Sequence, residues 1–297
     1  MKQLKERLIE SVQRNMASGL LLSGGLDSAI LASIDPKIMA ITVRLLEYGE
    51  DKGYAAQVAG FLKVKHHQRV VDIDEAIDSI PEVIRILKTF DPAIPNDIVV
   101  FFGLKEAKKI SVDAVMTGDG ADELFAGYSF MEGMDDLNGY IRRISQSMRF
   151  SSNELGKAFG IEIRQPYIES EIVELALSIP IDLKIRDGHG KWILRKAFED
   201  SLPAEIIWQN KRPLEYGSGM TKIREVISSM VQEKEFEEAK RTLSIKFMNK
   251  EHFYYYKIYQ DIVGEIPKPT EGEKTCPGCG AGINLDAFHC KVCGWVK

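Results

Sequence analysis

Short apolar runs alternate with amphipathic segments through the first part of the chain. The apolar runs have the length and continuity of buried parallel strands, and they occupy residues 19–22, 37–44, 66–73 and 114–117. In the amphipathic segments apolar residues recur at helical spacing, which predicts helices over residues 2–16, 54–62, 82–89 and 97–109. The first of these helices would bury Leu4, Leu8, Val12 and Met16. Strands that alternate with helices predict a parallel sheet covered on both faces.

The pattern changes after Tyr128. Residues 134–185 contain no strong strand and several helical runs, and another helical run covers residues 190–198. Residues 222–260 predict one or two charged helices, whose aromatic run at 253–259 we interpret as helix packing rather than as a surface for base stacking. The predicted fold class is therefore α/β, a parallel sheet followed by a helical second half.

A glycine-rich loop, Ser-Gly-Gly-Leu-Asp-Ser at residues 23–28, separates the first strand from a helix. Gly24 and Gly25 let a ligand approach the backbone closely. The free N–H groups of the following helix favour an anion, most often phosphate. Asp27 would repel a phosphate unless a metal ion lay between them, and a hard oxygen ligand beside polyphosphate indicates Mg²⁺.

A second glycine-rich loop follows the strand at 114–117. It contains Gly118 and Gly120 and the carboxylates Asp119, Asp122 and Glu123. Such a loop is either a solvated turn with helix caps or one half of a Mg²⁺ clamp completed by Asp27. Ligands of parallel sheets bind at the carboxyl ends of the strands, where both loops lie, so we favour the clamp.

Composition narrows the function classes. The chain has 297 residues and a net charge of −5, which argues against binding nucleic acid through bulk electrostatics. The chain contains no run of about 18 apolar residues, so no membrane span is predicted. The first residues lack the apolar core of a signal peptide. We expect a cytoplasmic protein without a membrane partner.

The cysteines all lie near the end of the chain, in two Cys-x-x-Cys pairs. They are Cys276, Cys279, Cys290 and Cys293. Two disulfides or a redox pair are the alternatives, but this spacing in a reducing compartment favours a Zn²⁺ site with four thiolate ligands. Such a site has no open coordination position, which favours a structural role.

The first loop resembles the pyrophosphate loop of the ATP pyrophosphatase superfamily. With the second loop added, the chain resembles the synthetase domain of the asparagine synthetase family, and it is similar to β-lactam synthetase. The matching stretches are residues 21–28, 118–128, 161–168, 190–195 and 202–212. The resemblance implies an adenine nucleotide α-hydrolase-like fold. It also implies a ligase that adenylates a carboxylate with ATP, releases pyrophosphate, and transfers the acyl group to an amine as AMP leaves.

The resemblance also implies roles for individual residues. The nucleotide and its phosphates are assigned to Leu22, Ser23, Gly24, Gly25, Asp27, Ser28 and Gly118. Mg²⁺ is assigned to Asp27 and Asp122, and the chemistry to Asp119 and Lys191. Lys191 corresponds to a family lysine that stabilises developing negative charge, although a surface helix lysine is the plain alternative.

The chain departs from the family pattern in three ways. Asp119 stands where the family usually has a glutamate, so its role in orienting the amine or the acyl substrate is altered. No cysteine outside the four-cysteine module is available as a glutaminase nucleophile. Free ammonia, a separate amidotransferase chain or an amine on the substrate would then supply the nitrogen. The zinc ribbon is foreign to the family.

We expect a synthetase-like domain at residues 1–264, with its sheet part at about 17–130 and its helical part at about 131–264. A stiff polar linker at 265–275 and a zinc ribbon at 276–297 follow. ATP and a small carboxylate, aspartate by resemblance, are the expected substrates. Two alternatives stay open, a tRNA-modifying enzyme that adenylates a base and a non-catalytic ATP-binding scaffold. The first is disfavoured because the ribbon and linker carry little net positive charge.

Overall fold

A five-stranded parallel sheet forms the centre of the computed structural model, which describes residues 1–46 and 53–296. In sequence order the strands are β1 (Gly19–Leu21), β2 (Met39–Leu45), β3 (Lys65–Val71), β4 (Ala114–Met116) and β5 (Glu162–Arg164). Their spatial order is β3-β2-β1-β4-β5. The strands β2 and β3 therefore lie on one side of β1, and β4 and β5 lie on the other. The gap between β1 and β4 is therefore the switch point at which such sheets bind ligands.

The helices of the first half cover both faces of this sheet, and the predicted α/β class is confirmed. They are α1 (Lys2–Arg14), α2 (Leu26–Ile34), α3 (Tyr54–Leu62), α4 (Ile73–Leu87) and α5 (Ile94–Lys109). On one face Leu4 and Leu8 of α1 join Leu20 in an apolar core, and on the other Ile41 packs with Phe102 of α5. The prediction for Met16 was wrong, because α1 ends before it and its side chain is 58% exposed.

Helix α4 begins earlier than the sequence pattern predicts. Pro81 suggested a boundary, but the helix runs from Ile73 through Pro81 to Leu87. Asp72 caps its start by accepting a hydrogen bond from the Glu75 N–H group at 2.8 Å. Burial of an apolar face that includes Ile80 offsets the backbone hydrogen bond that proline cannot make.

Helices dominate the second half, as predicted. They are α6 (Ala121–Phe125), α7 (Leu137–Ser145), α8 (Ser151–Phe159), α9 (Ser170–Ser178), α10 (Ile181–Lys184), α11 (Trp192–Ala197), α12 (Ala204–Ile207), α13 (Leu214–Gly217), α14 (Lys222–Met230), α15 (Glu233–Thr242) and α16 (Lys250–Ile262). Residues 134–185, for which no strong strand is predicted, contain one short strand, β5, which pairs with β4. At three residues, β5 is too short to produce a periodic pattern.

The charged C-terminal segment forms three helices, α14 to α16, rather than one or two. Its aromatic run packs inside the protein, as expected. Tyr255 and Tyr259 are fully buried, and the ring of Tyr259 meets the ring of Phe90 edge-on with centroids 5.1 Å apart.

The cysteine-bearing segment contains an antiparallel pair of strands, β6 (Glu273–Thr275) and β7 (Gly282–Asn284). It contacts the connection between α4 and α5. The Phe90 N–H group donates to the Val292 carbonyl at 2.8 Å, and His289 Nε2 lies 2.7 Å from Asp91 Oδ2. The domain boundaries given above stay predictions. Among residues 1–46 and 53–296, no helix has the length and apolar character needed to cross a membrane.

Candidate active site

The loop after β1 is closed by hydrogen bonds between its own residues. The Ser23 and Ser28 hydroxyl oxygens lie 3.1 Å apart, and the Ser23 N–H group donates to Ser28 Oγ at 3.2 Å. The Gly25 N–H group donates to Ser23 Oγ at 3.2 Å. These bonds hold the backbone in a tight turn that leads directly into α2.

Gly24 is required by its surroundings. Its φ of +78° is unfavourable for other residues, and a Cβ atom there would lie 2.6 Å from the Ala55 backbone nitrogen at the start of α3. Leu22 anchors the other end of the turn, because its carbonyl accepts a hydrogen bond from Thr42 Oγ1 at 2.7 Å. The Leu22 side chain is buried, and nucleotide binding by this residue stays a prediction.

The second loop lies against the first, as expected for neighbouring strands. A Cβ atom on Gly118 would lie 3.0 Å from Asp27 Cβ and 3.4 Å from the Ser28 backbone nitrogen. The Tyr167 hydroxyl donates to the Asp27 carbonyl at 3.1 Å and braces the start of α2. A larger residue at position 118 would push the loops apart.

Lys191 joins the two loops. Its Nζ atom lies 2.5 Å from Asp27 Oδ2 and 2.6 Å from Asp122 Oδ1, and its side chain is only 4% exposed. The alternative of a surface helix lysine is therefore excluded. Lys191 precedes α11 with a φ of +56°, and its N–H group donates to the Phe125 carbonyl at 3.0 Å. The start of α11 is thus tied to the end of α6, which carries Asp122.

Lys191 and the two largely buried carboxylates, Asp27 and Asp122, shift one another's ionisation. Burial disfavours charge on Asp122, but the Lys191 and Lys211 ammonium groups overcome this and lower its pKa to about 2. Burial raises the pKa of Asp27, although the Lys191 charge opposes the shift. For Lys191, burial is outweighed by Asp122 and Asp27, which raise its pKa above the ordinary lysine value. Lys191 therefore stays an ammonium ion at neutral pH.

Asp27 and Asp122 offer oxygen atoms of the kind that bind a divalent cation. Asp27 Oδ1 is buried and has no hydrogen-bond partner among the residues that the structure describes. Asp27 and Asp122 both face the Lys191 ammonium group, so their hard oxygen atoms converge on one place. A buried carboxylate oxygen without a partner is costly, and a Mg²⁺ ion is the kind of ligand that would satisfy it.

Further cations come from the segment between α12 and α13. Lys211 Nζ lies 2.6 Å from Asp122 Oδ2, and Gln209 Nε2 donates to the Gly24 carbonyl at 3.0 Å. Arg195 holds this segment by donating to the Gln209 carbonyl at 3.0 Å. A cavity of about 80 Å³ lies between this segment and the first loop. Lys211 and Arg195 lie in the matching stretches 202–212 and 190–195, but neither was predicted as a site residue, because a cation in a loop or helix does not by itself indicate a role.

Asp119 is held by three hydrogen bonds to a single oxygen atom. Its Oδ2 accepts from Thr117 Oγ1 at 2.7 Å, from Ser152 Oγ at 2.6 Å and from Gln165 Nε2 at 2.8 Å. Ser152 and Gln165 were also missed from the sequence. The neighbouring Glu123 accepts a hydrogen bond from the Tyr128 hydroxyl at 2.7 Å.

The four cysteines come together in one buried cluster. Their sulfur atoms all lie within 4.8 Å of one another, with Cys276 and Cys293 at 3.7 Å and Cys279 and Cys290 at 3.8 Å. A disulfide requires about 2.05 Å, so no pair is bonded. Thiolates at about 2.3 Å from a tetrahedral zinc ion would be about 3.8 Å apart, which matches this cluster.

The sequence matches a family model described as "Asparagine synthase" over residues 3–152 and 140–263. A probable glutamine-hydrolyzing asparagine synthetase of Dictyostelium discoideum is 30% identical over 87% of this chain and 55% of that protein. Asparagine synthetase 3 of Arabidopsis thaliana is 27% identical over 98% of this chain and 55% of that protein. The chain thus spans about half the length of these curated relatives.

Two solved structures show weaker similarity. The U34-tRNA thiolase NcsA from Methanococcus maripaludis aligns with a TM-score of 0.33 and 14% identity, over 94% of this chain and 83% of that chain. NMN synthetase from Francisella tularensis aligns with a TM-score of 0.33 and 16% identity, over 91% of this chain and 96% of that chain.

Proposed function

The chain belongs to the asparagine synthase family, and we propose that it is an ATP-dependent ligase that activates a carboxylate as an acyl-adenylate and transfers the acyl group to an amine. One observation carries this proposal. The Lys191 ammonium group lies between Asp27 and Asp122, directly beside the glycine-rich loop after β1. Burying such charges costs folding free energy, which brings no benefit to a protein that serves only as a scaffold. Phosphoryl transfer, in contrast, needs fixed charges that stabilise its transition state.

In the first step, a substrate carboxylate oxygen forms a bond to the α-phosphorus of ATP, and the bond from that phosphorus to the bridging oxygen breaks. Pyrophosphate leaves, and residues 23–28 are proposed to hold it through backbone N–H groups and hydroxyls. Mg²⁺ would be held by Asp27 and Asp122 and would supply charge neutralisation for the departing pyrophosphate. The buried, unpartnered Asp27 Oδ1 supports this assignment.

Lys191 is proposed to stabilise the charge that develops on the α-phosphoryl group. Its raised pKa keeps it protonated, so it acts as a fixed positive charge and not as a base. Lys211 adds a second cation on the solvent side of Asp122. Together they balance the charge that two aspartates would otherwise present to ATP.

In the second step, an amine nitrogen forms a bond to the acyl carbon, and AMP leaves with the oxygen of the mixed anhydride. Asp119 is proposed to orient this amine. Aspartate is the acyl substrate suggested by the relatives, and ammonia, a separate amidotransferase chain or an amine on the substrate supplies the nitrogen. The four-cysteine module is proposed to bind a structural Zn²⁺ ion, since four thiolates leave no coordination position open.

The test is release of AMP and pyrophosphate from Mg²⁺-ATP with aspartate and ammonium each added or withheld, with asparagine measured by mass spectrometry. We expect aspartate-dependent AMP formation that Asp27→Ala abolishes and Asp261→Ala, a change on the exposed face of α16, leaves intact. AMP formed only when tRNA is added would favour the base-adenylating alternative. ATP binding without AMP under every condition would favour a scaffold.

A further inference from the structure

Three elements of the fold converge on one oxygen of Asp119, and we propose that Ser152 and Gln165 are positioning residues that fix this carboxylate for the attacking amine. This inference rests on the proposed function. It assigns a role to two residues that were not predicted as site residues from the sequence. Both donate to Asp119 Oδ2, at 2.6 Å and 2.8 Å respectively.

The fold explains why these side chains meet. Gln165 directly follows β5, and the pairing of Met116 with Arg164 brings it beside the loop after β4. The Thr117 N–H group extends this pairing by donating to the Arg164 carbonyl at 2.9 Å. Ser152 comes from the first turn of α8, which packs against β5. Gln165 Nε2 also donates to Ser152 Oγ at 3.3 Å, so the two donors hold each other as well.

These bonds define what Asp119 can do. An aspartate side chain has two torsion angles, and the three donors together fix both of them. All three donors use Oδ2, so Oδ1 is the oxygen left for a ligand. The ligand that suits it is the N–H group of the nucleophile. As the new bond from nitrogen to the acyl carbon forms and the bond from that carbon to AMP breaks, the proton lost by nitrogen passes to Oδ1.

Among the residues that the structure describes, the side chains of Ser152 and Gln165 hydrogen-bond to Asp119 and to each other, not to Asp27, Asp122 or Lys191. Neither residue lines the cavity beside the first loop. Their loss should therefore impair the amine step and spare adenylation. A merely structural role would impair both steps together.

The experiment compares Ser152→Ala, Gln165→Leu and the double variant with the conservative Ser152→Thr. The surface variant Ser145→Ala is the matched control, since Ser145 Oγ donates to the nearby Arg142 carbonyl at 2.9 Å. Aspartate-dependent exchange of pyrophosphate into ATP reports adenylation, and KM for ammonium reports the amine step. A crystal structure of the double variant reports the orientation of Asp119.

We expect KM for ammonium to rise about tenfold in Ser152→Ala and in Gln165→Leu, the usual effect of losing a hydrogen bond to a charged group. The exchange rate should change less than about twofold, which is within the range of neutral substitutions. Ser152→Thr should keep the wild-type KM. In the double variant, the Asp119 carboxylate should rotate away from its wild-type orientation.

An unchanged KM for ammonium, or an exchange rate that falls in parallel with amide formation, would overturn the inference. So would an unaltered Asp119 orientation in the double variant, whatever the activity. Absence of exchange in the wild-type protein would instead contradict the proposed function with aspartate. The crystal structure would still decide whether Ser152 and Gln165 position Asp119.

Discussion

The Lys191 ammonium group lies 2.5 Å from the Asp27 carboxylate, although the two residues are 164 positions apart in the chain. Asp122 contacts the same ammonium group at 2.6 Å. This lysine therefore ties the two loops and α11 into one unit. Its loss would leave two carboxylates facing each other in a buried place.

We predict that Lys191→Met lowers the free energy of unfolding by about 3 kcal/mol, because it leaves buried charge uncompensated. The rate of AMP release should fall about a hundredfold or more. Urea denaturation in EDTA measures the first effect, and added Mg²⁺ should restore more stability to this variant than to the wild type. Lys196→Met is the control, because Lys196 pairs with Glu199 near the surface, where solvent screens the pair and its loss should cost little. An equal loss of unfolding free energy in Lys191→Met and Lys196→Met would contradict this explanation.

A second prediction concerns Asp97, at the start of α5. Burial, together with the nearby charges of Asp91 and Glu154, raises its pKa to about 7 in spite of a hydrogen bond from Ser151. The folded state thus binds this proton more tightly than the unfolded state, whose value is near 3.8. The stabilisation that this proton gives the folded state is therefore complete below pH 3.8, and it is lost as the pH rises to about 7.

Asp97→Asn mimics the protonated side chain and should escape this loss. Its stability advantage over the wild type should grow between pH 4 and pH 7, by at most about 1.4 kcal/mol per pH unit. Thermal unfolding across this pH range measures the difference, with Asp261→Asn on the exposed face of α16 as control. A stability difference that does not change with pH would contradict the raised pKa of Asp97.

Much of the sheet and part of the site could be predicted from the sequence. β2 is a continuous apolar run because it is buried on both faces, and α3 was predicted with its observed limits because its apolar residues face the sheet. The second loop was recognisable from its glycines and carboxylates. The start of α4 was predicted too late because of Pro81. Burial of the apolar face of α4 stabilises the helix by more than the one backbone hydrogen bond that Pro81 cannot make. Ser152 gave no signal, since a serine in a first helical turn is common. Gln165 lies in the matching stretch 161–168, but a glutamine after a strand does not by itself indicate a role.

A third prediction concerns the cysteine module and the connection before α5. The Phe90 N–H group donates to the carbonyl of Val292, which lies between two of the cysteines. Cys290→Ser, or treatment with a strong chelator, should therefore speed hydrogen exchange at Phe90. Exchange at Leu22, whose N–H group donates to Ile41 in the sheet, should stay slow.

Zinc content measured on the same samples links this effect to the metal. We expect the wild type to hold zinc, and Cys290→Ser to lose it. Lys291→Ala, a change at the exposed neighbour of Cys290, should keep both the metal and the protection of Phe90. Slow exchange at Phe90 in a metal-free Cys290→Ser protein would show that the module holds this connection without metal.

The last prediction concerns Gly127, next to the charged groups. A Cβ atom there would overlap Asp122 Oδ1 and Lys191 Cε, both of which are fixed by the ion pair. Gly127→Ala should therefore separate Lys191 from Asp122, lower the free energy of unfolding by about 1–3 kcal/mol, and weaken ATP binding. Gly60→Ala is the matched control, because nothing lies within 4 Å of its Cβ position in α3. That change should be neutral or stabilising by up to about 1 kcal/mol, since alanine favours the helix.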